Sequence, residues 1–208
     1  MTLDAEARER IRTLIDSSDV VLFMKGNREA PLCGFSATVV QILDQMIPEY
    51  LTIDVLADDA LREQIKEYSS WPTIPQLYVR GEFIGGCDIV QESFASGDLH
   101  ETLGVARGDA GPPSISISDD AATELRNATA RAPADFVLRL AIDARYRSRM
   151  LLGPGDADDV AVEANGVTLR MDRLSASRAG DAHIDLVQVR GGSAFRVGLP
   201  NAPAPLHG

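Results

Sequence analysis

The sequence predicts two domains, an α/β domain followed by a smaller, mostly β (α+β) domain. Three observations support this. Helical and strand apolar patterns alternate over the first half, Gly108-Asp109-Ala110-Gly111-Pro112-Pro113 has no hydrophobic period, and short strand patterns predominate after it. A chain of 208 residues is long enough for two small domains. We therefore expect domains at 1–107 and 114–202, joined by a linker at 108–113 and followed by a tail at 203–208.

The first domain opens with a helix, because Ile11, Leu14 and Ile15 recur at helical spacing. The elements that follow are a strand at 20–24, a helix ended by Pro48, a strand at 50–55, a helix at 58–68, strands at 76–79 and 82–84, and a last helix that begins at Gly85-Gly86-Cys87-Asp88 and runs through Phe94 to Leu103. This order predicts a small sheet with both parallel and antiparallel pairs.

The second domain begins with an alternating strand pattern at 114–118 and a helix at 119–131, for which Ser118 is the predicted N-cap. Strands are predicted after it at 136–142, 160–163, 167–171, 184–189 and 195–197. Asn165-Gly166 between two of them is a strong signal for a β-hairpin turn.

Charge and hydropathy exclude several classes of function. The net charge of −11 argues against nucleic acid as a partner, since phosphate binding depends on clustered Lys and Arg. Residues 1–107 carry 9 basic and 18 acidic side chains, a net charge of −9. No apolar run approaches the roughly 20 residues of a membrane helix, and the first eighteen residues lack the pattern of a signal or transit peptide. We therefore expect a cytoplasmic protein that does not bind membranes.

The chain has two cysteines, Cys33 and Cys87, too few for a secreted disulfide framework. Cys33 lies at the predicted entrance of a helix, where backbone N–H groups and the helix dipole favour a thiolate, and Lys25 ends the preceding strand. A thiolate is both a nucleophile and a metal ligand. A buried, inert cysteine before a helix is the alternative interpretation.

Four motifs decide between these interpretations. Lys25, Cys33-Gly34-Phe35-Ser36, Trp71-Pro72-Thr73-Ile74-Pro75 and Gly85-Gly86-Cys87-Asp88 together resemble, in order and spacing, the monothiol glutaredoxins. The resemblance covers residues 1–107 and implies a thioredoxin-like fold in which Pro75 follows a cis peptide bond. It also implies that Cys33 is both the reactive thiol and a ligand of a [2Fe-2S] cluster, held by a homodimer with two glutathione molecules as the further ligands.

The same resemblance assigns the glutathione site. It places Lys25 and Arg62 against the glycyl carboxylate, the backbone of Ile74 against the cysteinyl unit, and Cys87 with Asp88 at the γ-glutamyl end. Ser36 stands where dithiol relatives carry a second cysteine, so a mixed disulfide at Cys33 needs an external thiol to resolve it.

Some residues near these motifs have simpler interpretations. Lys66 is interpreted as part of a solvated helix face, and Trp71 as a packing residue. Cys87 is interpreted mainly as a small buried residue at a helix start, whose backbone can still bind glutathione. A regulatory disulfide between Cys33 and Cys87 is a further option.

The second domain is similar to the A-type iron-sulfur carriers, also called HesB-like, over residues 114–202. The resemblance rests on Ser114 to Asp120, on Asp159 to Val167, and on Gly192 to Arg196 with Pro200-Asn201. Those carriers use three cysteines, and no cysteine occurs between positions 109 and 208, so we expect that cluster binding of this type is lost. Arg145, Arg147 and Arg149 would form a basic stripe if they lay on one strand, or a solvated face.

Three functions are compatible with these observations. The first is glutathione-dependent [2Fe-2S] binding and transfer, with iron-sulfur scaffold and client proteins as partners. The second is an enzyme, a glutathione-dependent thiol-disulfide oxidoreductase that removes glutathione from protein thiols. The third is a regulatory adaptor that acts with a BolA-like protein. We prefer the first, because Ser36 removes the dithiol cycle.

Overall fold

A computed structural model describes residues 3–107 and 111–203 of the chain. The chain divides into two compact units, Met1–Ala106 and Arg107–Gly208, and each is described here by itself. Part of the predicted linker (108–110) and part of the predicted tail (204–208) lie outside the described residues. Within the described ranges, no helix combines the length and apolarity that crossing a bilayer requires.

The first unit contains a four-stranded sheet and five helices in its described part. Its elements are α1 (Ala5–Ile15), β1 (Val20–Met24), α2 (Gly34–Met46), β2 (Leu51–Asp54), α3 (Asp59–Ser69), β3 (Gln76–Val79), β4 (Glu82–Gly85), α4 (Cys87–Ser96) and α5 (Asp98–Leu103). The strand order is β2-β1-β3-β4. β1 pairs parallel with β2 and antiparallel with β3, and β3 pairs antiparallel with β4, so the predicted mixture of pairings is confirmed.

The central strand β1 is apolar throughout because both of its faces are covered. All five of its residues are buried. Val21 and Phe23 belong to a core cluster that also contains Ile11 of α1, Ile65 of α3 and Tyr78 of β3. Since side chains alternate across a strand, Val20, Leu22 and Met24 point to the opposite face. The α/β expectation for this unit is therefore confirmed, and Cys33 follows the loop that leaves this central strand.

The prediction of one continuous last helix is wrong. The structure divides it into α4 and α5 at Gly97, whose φ of 87° lies in the left-handed region. Glycine adopts this conformation at no steric cost, so it ends α4 and turns the chain into α5.

The second unit is rich in strands. Its elements are β5 (Ile115–Ile117), α6 (Asp119–Ala130), β6 (Phe136–Ile142), β7 (Ser148–Pro154), β8 (Val160–Ala164), β9 (Val167–Met171), α7 (Arg173–Arg178), β10 (Ala182–Val189) and β11 (Gly192–Gly198). They form a three-stranded sheet of order β11-β10-β5 and a four-stranded sheet of order β7-β6-β9-β8. Residues of α6 and of both sheets share one hydrophobic core.

The β8–β9 hairpin confirms the turn prediction, since Asn165 and Gly166 both have positive φ, 46° and 69°. Ser118 is the N-cap residue of α6 as predicted, but its side chain makes no capping hydrogen bond.

Two elements of the second unit, β7 and α7, were not predicted from the sequence. The interpretation of Arg145, Arg147 and Arg149 as one basic stripe is wrong, because only Arg149 lies on β7. Arg147 belongs to the preceding turn, where its Nε donates to Asp143 Oδ2 at 2.7 Å.

Candidate functional site

The reactive cysteine candidate lies where the loop after β1 enters α2. Cys33 is the N-cap residue of α2, with extended backbone angles (φ −151°, ψ 140°), and its carbonyl accepts the N–H of Ala37 at 2.9 Å. Cys33 is a free, half-buried thiol. At this position the N–H groups of the first turn of α2 lack helical partners and are available to a negative sulfur.

Cys33 opens onto a cavity of about 380 Å³. This volume lies within the range of small-molecule sites. The wall is built from four segments: the end of β1 with the start of α2, one face of α3, the loop before β3, and the start of α4. Its lining residues are Lys25, Cys33, Phe35, Arg62, Lys66, Trp71, Pro72, Thr73, Ile74, Pro75, Gly86, Cys87 and Asp88.

The wall of this cavity includes three cationic residues. Lys25, Arg62 and Lys66 all contribute to the wall. The Nε of Arg62 is buried and has no hydrogen-bond partner within the described part of the chain, whereas Lys66 Nζ pairs with Glu63 Oε1 at 2.8 Å. A buried donor without a partner is costly unless a ligand satisfies the group to which it belongs. These cationic residues make the cavity suited to a carboxylate.

The start of α4 also contributes to the cavity wall. Gly86 is the N-cap residue, and Cys87 and Asp88 occupy the first two helical positions. A Cβ on Gly86 would lie only 2.8 Å from Nε1 of Trp71, so a glycine is needed for the indole to pack here. The first-turn N–H groups and the exposed carboxylate of Asp88 suit a group that carries both an amine and a carboxylate.

The loop before β3 contributes residues 71–75 to the cavity wall. The Ile74–Pro75 bond is cis, which confirms that expectation. The neighbouring Gln76 is completely buried, and its Nε2 donates to the carbonyls of Trp71 at 3.0 Å and Thr73 at 3.2 Å. Gln76 was not predicted as a site residue. Its only signal in the sequence is an amide side chain within an otherwise apolar strand.

The second cysteine is buried and chemically distinct from the first. Cys87 is only 7% exposed, and its Sγ contacts Gln91 Oε1 at 3.4 Å. Burial raises the pKa of the Cys87 thiol, and the negative charges of Asp88 and of Cys33 raise it further. Both cysteines are free thiols that line one cavity. The regulatory disulfide between them stays a prediction.

Ser36 replaces a second thiol within the motif of Cys33. The side chain is fully buried, and its Oγ accepts the backbone N–H of Lys25 at 3.2 Å. Within the four residues 33–36 there is therefore one sulfur.

The structure places all six predicted site residues on this cavity: Lys25, Cys33, Arg62, Ile74, Cys87 and Asp88. Their individual roles stay predictions. Lys66, interpreted from the sequence as a solvated residue, also lines the wall. Trp71 packs against Phe83, with ring centroids 5.7 Å apart, and faces the cavity as well.

Comparisons with known proteins find similar sequences and structures. The glutaredoxin family profile matches residues 20–84. A chloroplastic monothiol glutaredoxin, S7, from rice (Oryza sativa subsp. japonica) is 55% identical over 101 residues, which are 49% of this chain and 60% of that protein. The match thus spans less than two thirds of the rice protein. An uncharacterised ycf64-like monothiol glutaredoxin of Synechocystis is 51% identical over 104 residues, 50% of this chain and 97% of that one.

Among solved structures, the solution structure of reduced poplar apo GrxS14 shares 47% sequence identity. The match covers 50% of this chain and 95% of that one, with a TM-score of 0.45.

Proposed function

Because this chain belongs to the monothiol glutaredoxin family, we propose that it binds a [2Fe-2S] cluster together with glutathione and transfers it to other proteins. The single observation that carries the proposal is the free, half-buried thiol of Cys33 on the wall of a cavity that is also lined by three cationic residues and a helix start. The cluster is cargo in this function, and the chain's own residues hold it and release it.

The number of thiolates explains why glutathione and a second protomer are required. A [2Fe-2S] cluster is commonly held by four thiolates, and the motif that contains Cys33 supplies one. Ser36 is buried and engaged with the backbone, and Cys87 is a buried thiol of raised pKa. Two protomers that each contribute Cys33 and one bound glutathione complete the set, so the functional species is a homodimer.

The cavity wall supports an assignment of glutathione to three subsites. Lys25 and Arg62 hold the glycyl carboxylate, and the support for this is that both cations line the cavity. The backbone of Ile74 pairs with the cysteinyl unit. The N–H groups of Cys87 and Asp88 and the carboxylate of Asp88 hold the γ-glutamyl end. Together these contacts orient the glutathione sulfur beside Cys33.

Transfer requires contact with other proteins. We propose that a scaffold delivers the cluster, that clients accept it, and that a BolA-like protein is a further partner. The second unit is proposed to be a HesB-like fold that serves partner contact rather than cluster binding, since residues 109–208 contain no cysteine. The proposed compartment is the cytoplasm.

A second candidate function is reduction of glutathionylated protein thiols, and the accessible thiol of Cys33 favours it. The Cys33 thiolate attacks the glutathione sulfur of the substrate, a Cys33–glutathione disulfide forms, and the substrate leaves as a thiolate that takes up a proton. A second glutathione thiolate then attacks the glutathione sulfur of this disulfide. It restores the Cys33 thiolate and releases glutathione disulfide.

Anaerobic reconstitution of the full chain with iron and sulfide, with and without glutathione, tests the proposal. We expect a [2Fe-2S] absorption spectrum only with glutathione, coincident with a dimer on a sizing column, and no cluster in Cys33→Ser. A normal cluster in Cys33→Ser would contradict the site. If no cluster forms while Cys33 turns over a glutathionylated peptide, the oxidoreductase function replaces transfer.

A further inference from the structure

The loop of residues 71–75 forms one wall of the cavity, yet it contains few groups that could hold its own backbone in place. Pro72 and Pro75 have no N–H and cannot donate to a ladder. The N–H of Trp71 is engaged at the loop's start, where it donates to the carbonyl of Lys66 at 3.0 Å. The rest of the loop depends on contacts from elsewhere.

Gln76 supplies hydrogen bonds to the backbone of this loop. Its Nε2 donates to the carbonyls of Trp71 and Thr73, at 3.0 and 3.2 Å, and these carbonyls flank the loop's centre. Its Oε1 accepts the hydroxyl of Tyr78 at 3.3 Å, within the core. Gln76 is completely buried and Tyr78 is 2% exposed, so this amide is isolated from water. All three of its hydrogen bonds fix one orientation of the amide.

We propose that Gln76 is a positioning residue for glutathione recognition: it fixes the backbone of residues 73–75 so that the peptide groups around Ile74 meet the cysteinyl unit of the ligand. The inference rests on the proposed glutathione site. Gln76 does not line the cavity and acts only through the loop. An apolar side chain of similar length would leave two inward carbonyls without donors, and the loop would relax toward water.

The reaction that reports on this role is formation of the Cys33 mixed disulfide. The Cys33 thiolate attacks one sulfur of glutathione disulfide, that S–S bond breaks, and a glutathione thiolate leaves and takes a proton from water. Bis(2-hydroxyethyl) disulfide undergoes the same exchange but has neither carboxylates nor peptide groups. The ratio of the two rates therefore measures recognition, while the second rate alone measures the reactivity of the thiol.

The experiment compares the full chain with Gln76→Met and with Gln41→Met, an exposed control on α2, following the Cys33 peptide by mass spectrometry. We expect Gln76→Met to lower the rate with glutathione disulfide about tenfold and to leave the rate with bis(2-hydroxyethyl) disulfide at the wild-type value. Gln41→Met should change neither rate. Equal losses with both disulfides, or no loss with either, would overturn the inference.

Two further results separate this inference from the function on which it rests. If the unaltered chain shows no preference for glutathione disulfide, the glutathione site and the role of Gln76 fail together. If the unaltered chain has that preference and Gln76→Met keeps it, only the role of Gln76 fails. Should Gln76→Met not fold, Tyr78→Phe provides a second test, because it removes the donor to Oε1 that helps to orient the amide. We expect Tyr78→Phe to lower the ratio of the two rates, and an unchanged ratio would overturn the role of Gln76.

Discussion

The hydroxyl oxygen of Ser36 accepts the backbone N–H of Lys25 at 3.2 Å and so fastens the first turn of α2 to the end of β1. A backbone–backbone hydrogen bond, from the N–H of Leu32 to the carbonyl of Lys25 at 2.9 Å, closes the loop between β1 and α2. Lys25 is thereby fixed relative to Cys33 on the cavity wall. Ser36, three positions after Cys33, is therefore a structural hydrogen-bond acceptor.

Ser36→Cys should change the fate of a glutathione adduct at Cys33. The introduced thiol can attack Cys33 in the adduct and release glutathione, so the adduct should not accumulate. Intact mass after exposure to glutathione disulfide measures this, in a Cys87→Ser background that removes the other sulfur. Ser36→Ala is the control, because it also loses the acceptor for the Lys25 N–H but should retain the adduct. A persistent adduct in Ser36→Cys would show that the two positions cannot react.

Arg62→Ala should weaken the dependence on glutathione without harming the fold. Removal of the guanidinium deletes a charge-assisted contact worth about 1.5 kcal/mol, which corresponds to roughly a tenfold rise in the glutathione concentration needed for half-maximal cluster formation. The measurement is a glutathione titration during anaerobic reconstitution. Arg8→Ala, an exposed arginine of α1 outside the cavity, is the matched control. Equal titration curves for the two variants would remove Arg62 from the site.

The sequence could predict most of the first unit because its signals are local and agree with one another. The bounds of β1 and β3 were predicted to the residue, since a short apolar run between polar turns leaves little choice of where the strand begins and ends. The six site residues were predicted through the family resemblance, and all of them line one cavity. What failed was the helix break at Gly97, because a single glycine inside a helical pattern does not reveal whether it ends the helix.

The sequence could not show which buried polar groups satisfy one another or which strands pair at the edge of a sheet. Gln76 was missed because a buried amide is recognisable only once the carbonyls it satisfies are known. Strand β7 was missed because its apolar run is only three residues long, between Arg149 and Gly153-Pro154, although the strand pairs with β6 along its whole length. Whether an edge strand forms depends on its pairing with another strand, which the periodicity of the sequence does not indicate.

The buried ion pair between Arg28 and Asp44 gives a prediction about stability. Arg28 Nε donates to Asp44 Oδ1 at 2.6 Å, Arg28 Nη1 donates to the carbonyl of Pro48 at 3.0 Å, and the guanidinium lies 4.1 Å from the ring centroid of Tyr50. The Arg28 side chain is 6% exposed. Arg28→Met leaves Asp44 without this guanidinium, and we expect the free energy of unfolding of the first unit to fall by about 3 kcal/mol.

Urea unfolding followed by Trp71 fluorescence measures this loss in the first unit alone, because Trp71 is the chain's single tryptophan. Arg12→Met, which breaks an exposed pair with Asp16, should leave the midpoint almost unchanged. The double variant Arg28→Met/Asp44→Leu should lose less than the sum of the two single variants. A midpoint for Arg28→Met equal to that of Arg12→Met would show that the buried pair does not stabilise the unit.

The pKa of Cys87 should respond to Asp88. Burial raises this pKa first, and the carboxylate of Asp88 adds to it, so at neutral pH the thiolate fraction is smaller than for an ordinary cysteine. In a Cys33→Ser chain, the rate of alkylation by iodoacetamide should therefore rise only at a pH above the range of an ordinary thiol. Asp88→Asn should shift the midpoint of that rise to lower pH, because it removes a negative charge that opposes ionisation.

The control is Asp98→Asn, an exposed change on α5, which should leave the midpoint of the alkylation rate in place. A faster reaction in Asp88→Asn with an unmoved midpoint would contradict the electrostatic cause and indicate instead that the start of α4 had opened.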